Sequence, residues 1–160
     1  MITYPNAKIN IGLNVVEKRQ DGYHNIETVF YPIGLCDVLE IEPSEGCTDY
    51  SFSASGIPLS GDPEENLIVK AYRLLQSEYD IPPVDISLIK QIPFGAGLGG
   101  GSADAAFTLK MLNEMFELKI TPRKLEKMAA DLGADCPVFI RNKAVFATGI
   151  GNIFTPVKIS

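Results

Sequence analysis

"PFGAGLGGGSADAA", residues Pro93 to Ala106, packs five of the chain's fourteen glycines into positions 95 to 101 and then passes directly into alanine-rich, helix-forming sequence. It follows "VDISLIKQI", in which Val84, Ile86 and Leu88 alternate as in a β-strand, and it precedes an apolar helical stripe of Ala105, Ala106, Leu109, Leu112 and Phe116. Strand, glycine loop and helix therefore follow in series. Gly95, Gly97 and Gly100 satisfy G-x-G-x-x-G, but a dinucleotide fold also needs a second strand with an acidic end about twenty residues on, and "LKITPRKL" reads there as a helix start. A Walker A loop needs a lysine before its Ser/Thr, and here Gly101 stands before Ser102. A flexible linker is usually followed by polar sequence, not by an amphipathic helix. Glycines before a helix N-terminus let backbone N–H groups approach an anion, and the helix dipole adds to the attraction. A phosphate cradle is the best physical reading. Ser102 fits either a cap or a hydroxyl turned to a phosphate or its magnesium ion, with capping the simpler role, and Asp104 is expected only to complement the dipole.

Upstream, Ile9, Ile11, Leu13 and Val15 alternate with Lys8, Asn10, Gly12 and Asn14, which predicts a half-buried strand with a polar working face. Asp21-Gly22 is a turn signal that leads into the β-rich run Ile26 to Tyr31, so a hairpin is expected. "DVLEIE" and "DYSFSAS" continue the β-rich first sixty residues. Helical spacing runs from Asn66 to Tyr79, with Pro63, Glu64 and Glu65 suited to its N-terminus and Pro82 and Pro83 ending it. A further helix starts with Thr121 as N-cap and Pro122 at its first position, and stops at Gly133. "CPVFI" and "KAVFA" read as short apolar segments, and "TGIGN" turns the chain into "IFTPVKI".

With 160 residues, 46% hydrophobic and 21% charged, the chain fits one folded domain. A net charge of −6 argues against general binding to nucleic acid or anionic membranes. Cys36, Cys47 and Cys136 show no CxxC spacing and His24 is the sole histidine, so no structural zinc site is expected and free thiols in a cytoplasmic setting are. No apolar run is long enough to span a bilayer, and "MITYPNAKIN" lacks the apolar core of a signal peptide.

Three further positions invite chemistry. Asp135 stands between a helix stop and Pro137, where it either caps the next turn or serves a reaction. Lys8 shares a strand face with Asn10. His24 is an ordinary turn histidine unless Tyr23 beside it joins in a recognition surface.

Taken in order, "PNAKINIGLNV", "DGYHNIETVF", "ENLIVKA", "IPFGAGLGGGSADAA" and "LGADCPVF" resemble the GHMP kinase superfamily over nearly the whole chain. "AKIN" with "DGYH" points to the branch acting on cytidine-diphosphate-linked methylerythritol. The resemblance implies an α+β fold, a mixed β-sheet packed with helices and holding a left-handed β-α-β crossover. It implies transfer of the ATP γ-phosphoryl group, with Mg²⁺, to the 2-hydroxyl of that small-molecule substrate in the non-mevalonate route to isoprenoid precursors. By resemblance Lys8 and Asp135 are catalytic, and Asn10, Tyr23 and His24 bind substrate. Asn66, Lys90, Pro93, Gly95, Ala96, Gly97, Leu98, Gly99, Gly100, Gly101 and Ser102 bind nucleotide. No protein ligand is assigned to a metal. "FATGIGN" departs from the family at Thr148 and Asn152, where relatives often carry acidic residues. The family's C-terminal domain is not found within residues 1–160, so this chain is expected to be the N-terminal domain, with little activity alone and with self-association through apolar surface. Another GHMP small-molecule kinase and a non-catalytic nucleotide-binding domain are the competing readings.

Overall fold

The computed structural model describes residues 1–160. The chain runs β1 (Ile2–Thr3), β2 (Asn6–Lys18), β3 (His24–Cys36), β4 (Val38–Pro43), β5 (Tyr50–Gly56), α1 (Leu67–Glu78), β6 (Val84–Lys90), α2 (Gly100–Met115), α3 (Pro122–Leu132), α4 (Val138–Arg141), β7 (Val145–Thr148) and β8 (Ile153–Pro156). The fold is α+β with mixed strand pairing packed against helices, as expected, and its strands form two four-stranded sheets. One has the order β1-β4-β6-β5 and the other β2-β3-β7-β8. The first is mixed, because β5 and β6 pair in parallel through the β5-α1-β6 crossover while the remaining pairs are antiparallel.

Alternation explains how the first sheet meets the helices. Val84, Ile86, Leu88 and Lys90 of β6 are buried and the residues between them are exposed, the pattern of a strand with one face on the core and one in water. Val84, Ile86 and Leu88 share one buried cluster with Ile68, Ala71, Tyr72 and Leu75 of α1 and Leu109 and Leu112 of α2, and Leu125, Met128 and Ala129 of α3, which contacts α1 and α2, extend it. Phe30, Val145 and Ala147 of the second sheet belong to the same cluster of 27 buried residues, so both sheets share one core.

The helix ends follow the capping chemistry of the sequence. Asn66 accepts from the N–H of Ile68 at 2.8 Å to start α1, and Thr121 accepts from that of Lys124 to start α3. Pro63–Glu65 forms a separate 3-10 turn ahead of α1, with Asp62 as its cap. "CPVFI" supplies the single helical turn of α4.

The β2–β3 hairpin departs from expectation. Its turn is as read, with the Arg19 N–H bonded to the carbonyl of Tyr23 and Gly22 at φ +88°. Yet only Asn6, Ala7 and Lys8 of β2 are buried, and Ile11, Leu13 and Val15 are exposed by 46%, 57% and 62%. The outer part of the hairpin is left uncovered by the helices, so alternation there marks two open faces, not one buried face.

Candidate functional site

The glycine loop joins the end of β6 to the start of α2. Gly95, Gly97 and Gly99 hold φ of +69°, +73° and +70°, a conformation that costs any residue with a Cβ about 1–2 kcal/mol. At Gly95 and Gly97 an added Cβ would meet nothing within 4 Å, so both positions face open space. At Gly99 the same Cβ would lie 3.0 Å from the Phe139 ring, and at Gly100 2.7 Å from Ile92. The first two glycines keep a cradle clear; the second two let the loop lie close to its support.

Gly99 is the N-cap of α2 and makes no side-chain cap bond, which leaves the first amides of a sixteen-residue helix facing the loop. Ser102 is therefore not the cap, contrary to expectation. It sits within the first turn, its hydroxyl beside Cys136, whose thiol burial pushes up to about 11 against the opposing effect of that hydroxyl.

Lys8 fastens this loop to β2. Its backbone N–H donates to the carbonyl of Leu98 and its ammonium to the carbonyl of Gly97, both at 2.9 Å. The same ammonium donates to Asn10 Oδ1 at 2.7 Å, lies 3.7 Å from Asp135 Oδ2 and sits 4.8 Å from the centre of the Phe30 ring. The Lys8 side chain is 5% exposed and that of Asp135 41%, so a carboxylate open to solvent faces a buried cation. Asp135 lies in the turn between α3 and α4. The structure thus brings Lys8, Asn10, Asp135 and the loop together.

A shallow depression of about 200 Å³ over the loop opens beside a cavity of about 570 Å³, and the two share Leu67, Phe94 and Gly101. Phe52, Ala54, Leu59 and Leu88 add apolar wall to the larger one, with Asn66, Lys90 and Asp104 at its polar end. An anion cradle beside a largely apolar slot suits a phosphorylated ligand with a flat apolar part. Asn66 and Lys90 border this cavity, but Asn66 uses its side-chain oxygen to cap α1 and Lys90 is 1% exposed.

Asp104 does not act as a surface complement to the helix dipole. It is 3% exposed, 3.0 Å from the Lys90 ammonium, and its Oδ1 has no hydrogen-bond partner. Burial pushes its carboxyl up to about 8, opposed by the charge of Lys90 and reinforced by Asp37. Asp37, fully buried and also paired with Lys90, had no distinguishing mark in the sequence, where it only precedes an apolar strand.

Tyr23 and His24 are not brought to the loop. They stand at the tip of the hairpin, where His24 pairs with Lys18, ten positions along β2 from Lys8. Register shifts at Ile11/Leu13 and Val15/Glu17 interrupt the ladder between, and such bulges bend a strand.

Residues 66–143 match the family described as GHMP kinases N terminal domain. The chain is 63% identical over its full length to a protein of Bacteroides fragilis named 4-diphosphocytidyl-2-C-methyl-D-erythritol kinase, and covers 59% of that protein. It is 54% identical to a Porphyromonas gingivalis protein of the same name, 98% of this chain covering 57% of that one. The crystal structure of a 4-(cytidine 5'-diphospho)-2C-methyl-D-erythritol kinase superposes with a TM-score of 0.86 at 36% identity, over all of this chain and 56% of that one. The Methanococcus jannaschii mevalonate kinase shares the fold, with a TM-score of 0.75 at 14% identity over 99% of this chain and 56% of that one. The chain spans somewhat over half the length of the curated relatives it matches. In sequence the chain is similar to these kinases over its whole length, in fold it is similar to GHMP kinases, and its residues 66–143 match the N-terminal domain of that family.

Proposed function

We propose that this chain forms the ATP-binding half of a kinase that phosphorylates the 2-hydroxyl of 4-diphosphocytidyl-2-C-methyl-D-erythritol. The observation that carries the reading is the position of Lys8, whose ammonium spans the carbonyl of Gly97 and the carboxylate of Asp135. The open side of Gly95 and Gly97, with the uncapped start of α2, fits the phosphates of ATP. The apolar cavity beside Asn66 fits its base. Mg²⁺ would be carried by phosphate oxygens and water, neutralising charge on the transferring group.

In this reading the substrate hydroxyl oxygen bonds to the γ-phosphorus as the bond from that phosphorus to the bridging oxygen breaks, and ADP leaves. The hydroxyl proton passes to Asp135. Lys8 orients that carboxylate toward the acceptor, so positioning is the larger part of its contribution. Asn10 lies against Lys8 on the acceptor side. The cytidine end is assigned to Tyr23 and His24, with the diphosphate arm running along β2 toward Lys8. A cytoplasmic setting accompanies this reading, and so does self-association through the open apolar side of β2. No helix of the chain is long and apolar enough to cross a membrane.

The test is an ATP-dependent assay of the full-length protein beside this 160-residue chain, with CDP-methylerythritol as acceptor. Product from the full-length protein, lost in Asp135→Asn, supports the reading, and little turnover is expected from the 160-residue chain alone. Turnover only with another small alcohol points to a different GHMP kinase. Nucleotide binding without turnover points to a binding domain.

A further inference from the structure

A second charged cluster, separate from the Lys8–Asp135 pair, joins Asp37, Lys90 and Asp104 at the two ends of the glycine loop. Asp37, the single residue between β3 and β4, is fully buried, and three donors converge on it. Its Oδ1 accepts from the backbone N–H groups of Gln91 at 2.6 Å and Ile92 at 2.8 Å, and its Oδ2 accepts from the Lys90 ammonium at 2.5 Å. Gln91 and Ile92 lie beyond the end of β6 and immediately before Pro93, where the loop begins. The Lys90 ammonium also donates to Asp104 Oδ2 at 3.0 Å, in the early turns of α2 where the loop has ended.

We propose that Asp37 is a positioning residue for the phosphate loop, its carboxylate holding the upstream end directly and, through Lys90, the downstream end at Asp104. The inference rests on the loop being a phosphate cradle and adds what keeps that cradle in shape. Glycine loses more backbone freedom on ordering than any other residue, and three of the seven residues from 93 to 99 are glycines held at positive φ. Fixing both ends before an anion arrives lowers the ordering cost of binding. A trio of apolar side chains would be easier to bury than two carboxylates and an ammonium, but could not hold two amides and a helix in register.

The chemistry at Asp37 makes the proposal sharp. Every partner of its carboxylate is a donor, so the amide group of Asn would set an NH₂ against an N–H whichever way it turned. Asp37→Asn is expected to loosen the loop without changing the shape of the core.

Two measurements on the 160-residue chain test this: backbone amide hydrogen exchange, and calorimetric titration with inorganic tripolyphosphate below the melting range of each variant. In the wild type, the Gln91 and Ile92 amides are expected to exchange as slowly as those of β6, although neither bonds to a carbonyl. In Asp37→Asn they are expected to exchange at least about tenfold faster and tripolyphosphate to bind at least about tenfold more weakly, with α3 protection unchanged. Thr121→Ala, which weakens only the start of α3, should lower the melting temperature and leave tripolyphosphate affinity as it was. Fast exchange at Gln91 and Ile92 in the wild type overturns the proposal even if Asp37→Asn does not fold. So does an Asp37→Asn protein that keeps both the protection and the affinity. Should the wild type fail to bind tripolyphosphate, the cradle reading falls, while exchange at the two amides still reports on the anchor.

Discussion

The Lys8 ammonium lies 3.7 Å from Asp135 Oδ2 and 2.9 Å from the carbonyl oxygen of Gly97, so one buried cation ties the solvent-facing carboxylate to the glycine loop. In the full-length protein, Asp135→Asn is expected to lower kcat by about 10²–10⁴-fold with a small change in KM for ATP. Lys8→Met should lower kcat and also raise KM for ATP, because it frees the loop as well as the carboxylate. Steady-state kinetics with ATP varied separates the two, and an Asp135→Asn enzyme with wild-type kcat would remove that residue from the chemistry.

Gly97→Ala and Gly100→Ala should fail in different ways. At Gly97 the added methyl has open space but a φ of +73°, so stability should drop by about 1–2 kcal/mol while the methyl occupies the cradle and tripolyphosphate binding is lost. At Gly100 the methyl would stand 2.7 Å from Ile92 and 2.9 Å from the Lys90 ammonium, so the larger effect should be on folding. Urea midpoints and tripolyphosphate titrations of the two variants check this pair.

Asp104 makes stability depend on pH in the direction opposite to an ordinary paired carboxylate. Its folded value of about 8 lies above the unfolded value of roughly 3.9. Its contribution is thus fully present below about pH 4 and is lost as pH rises toward and through 8. Asp104→Asn, which cannot ionise, should gain stability relative to wild type between pH 5 and pH 9. Urea midpoints at pH 5, 7 and 9 measure the difference; a constant gap would show that Asp104 does not titrate in this window.

Thr121→Ala and Asn66→Ala remove equivalent caps from α3 and α1, each worth about 1 kcal/mol. Only Asn66 also borders the large cavity. Asn66→Ala should therefore weaken ADP binding as well as lowering the melting temperature, and Thr121→Ala should affect the melting temperature alone.

Leu13 is 57% exposed beside Ile11 and Val15, a cluster of apolar side chains on an edge strand. Light scattering of the chain should show mass rising with concentration, and Leu13→Lys should suppress that rise. A monomer mass across the range would show that this surface does not self-associate.

The parts legible in sequence were those with local causes. Alternation in "VDISLIK", the Asn66 and Thr121 caps, the Asp21-Gly22 turn and the glycine run before an apolar stripe each depend on residues within a turn or a strand's length of one another. Where a local rule was stretched, it failed. By sequence Ser102 fits either a cap or a hydroxyl turned to a phosphate, but the left-handed Gly99 begins the helix earlier and takes the cap position. By sequence Asp104 only complements the dipole, because nothing local marks it as facing Lys90.

By itself the sequence determined the order of elements, the glycine loop ahead of a helix, and the motifs that resemble those of GHMP kinases. Those properties reside in side-chain periodicity, backbone freedom and capping, all settled within a few residues. The tertiary structure alone decided that the strands divide into two sheets, that β2 is buried only at its start, and that Lys8 meets Asp135. It also decided that Asp37 and Asp104 share Lys90 from opposite ends of the loop. Each of these joins residues far apart in the chain, and the cost of burying a charge is offset only by partners that packing brings within reach.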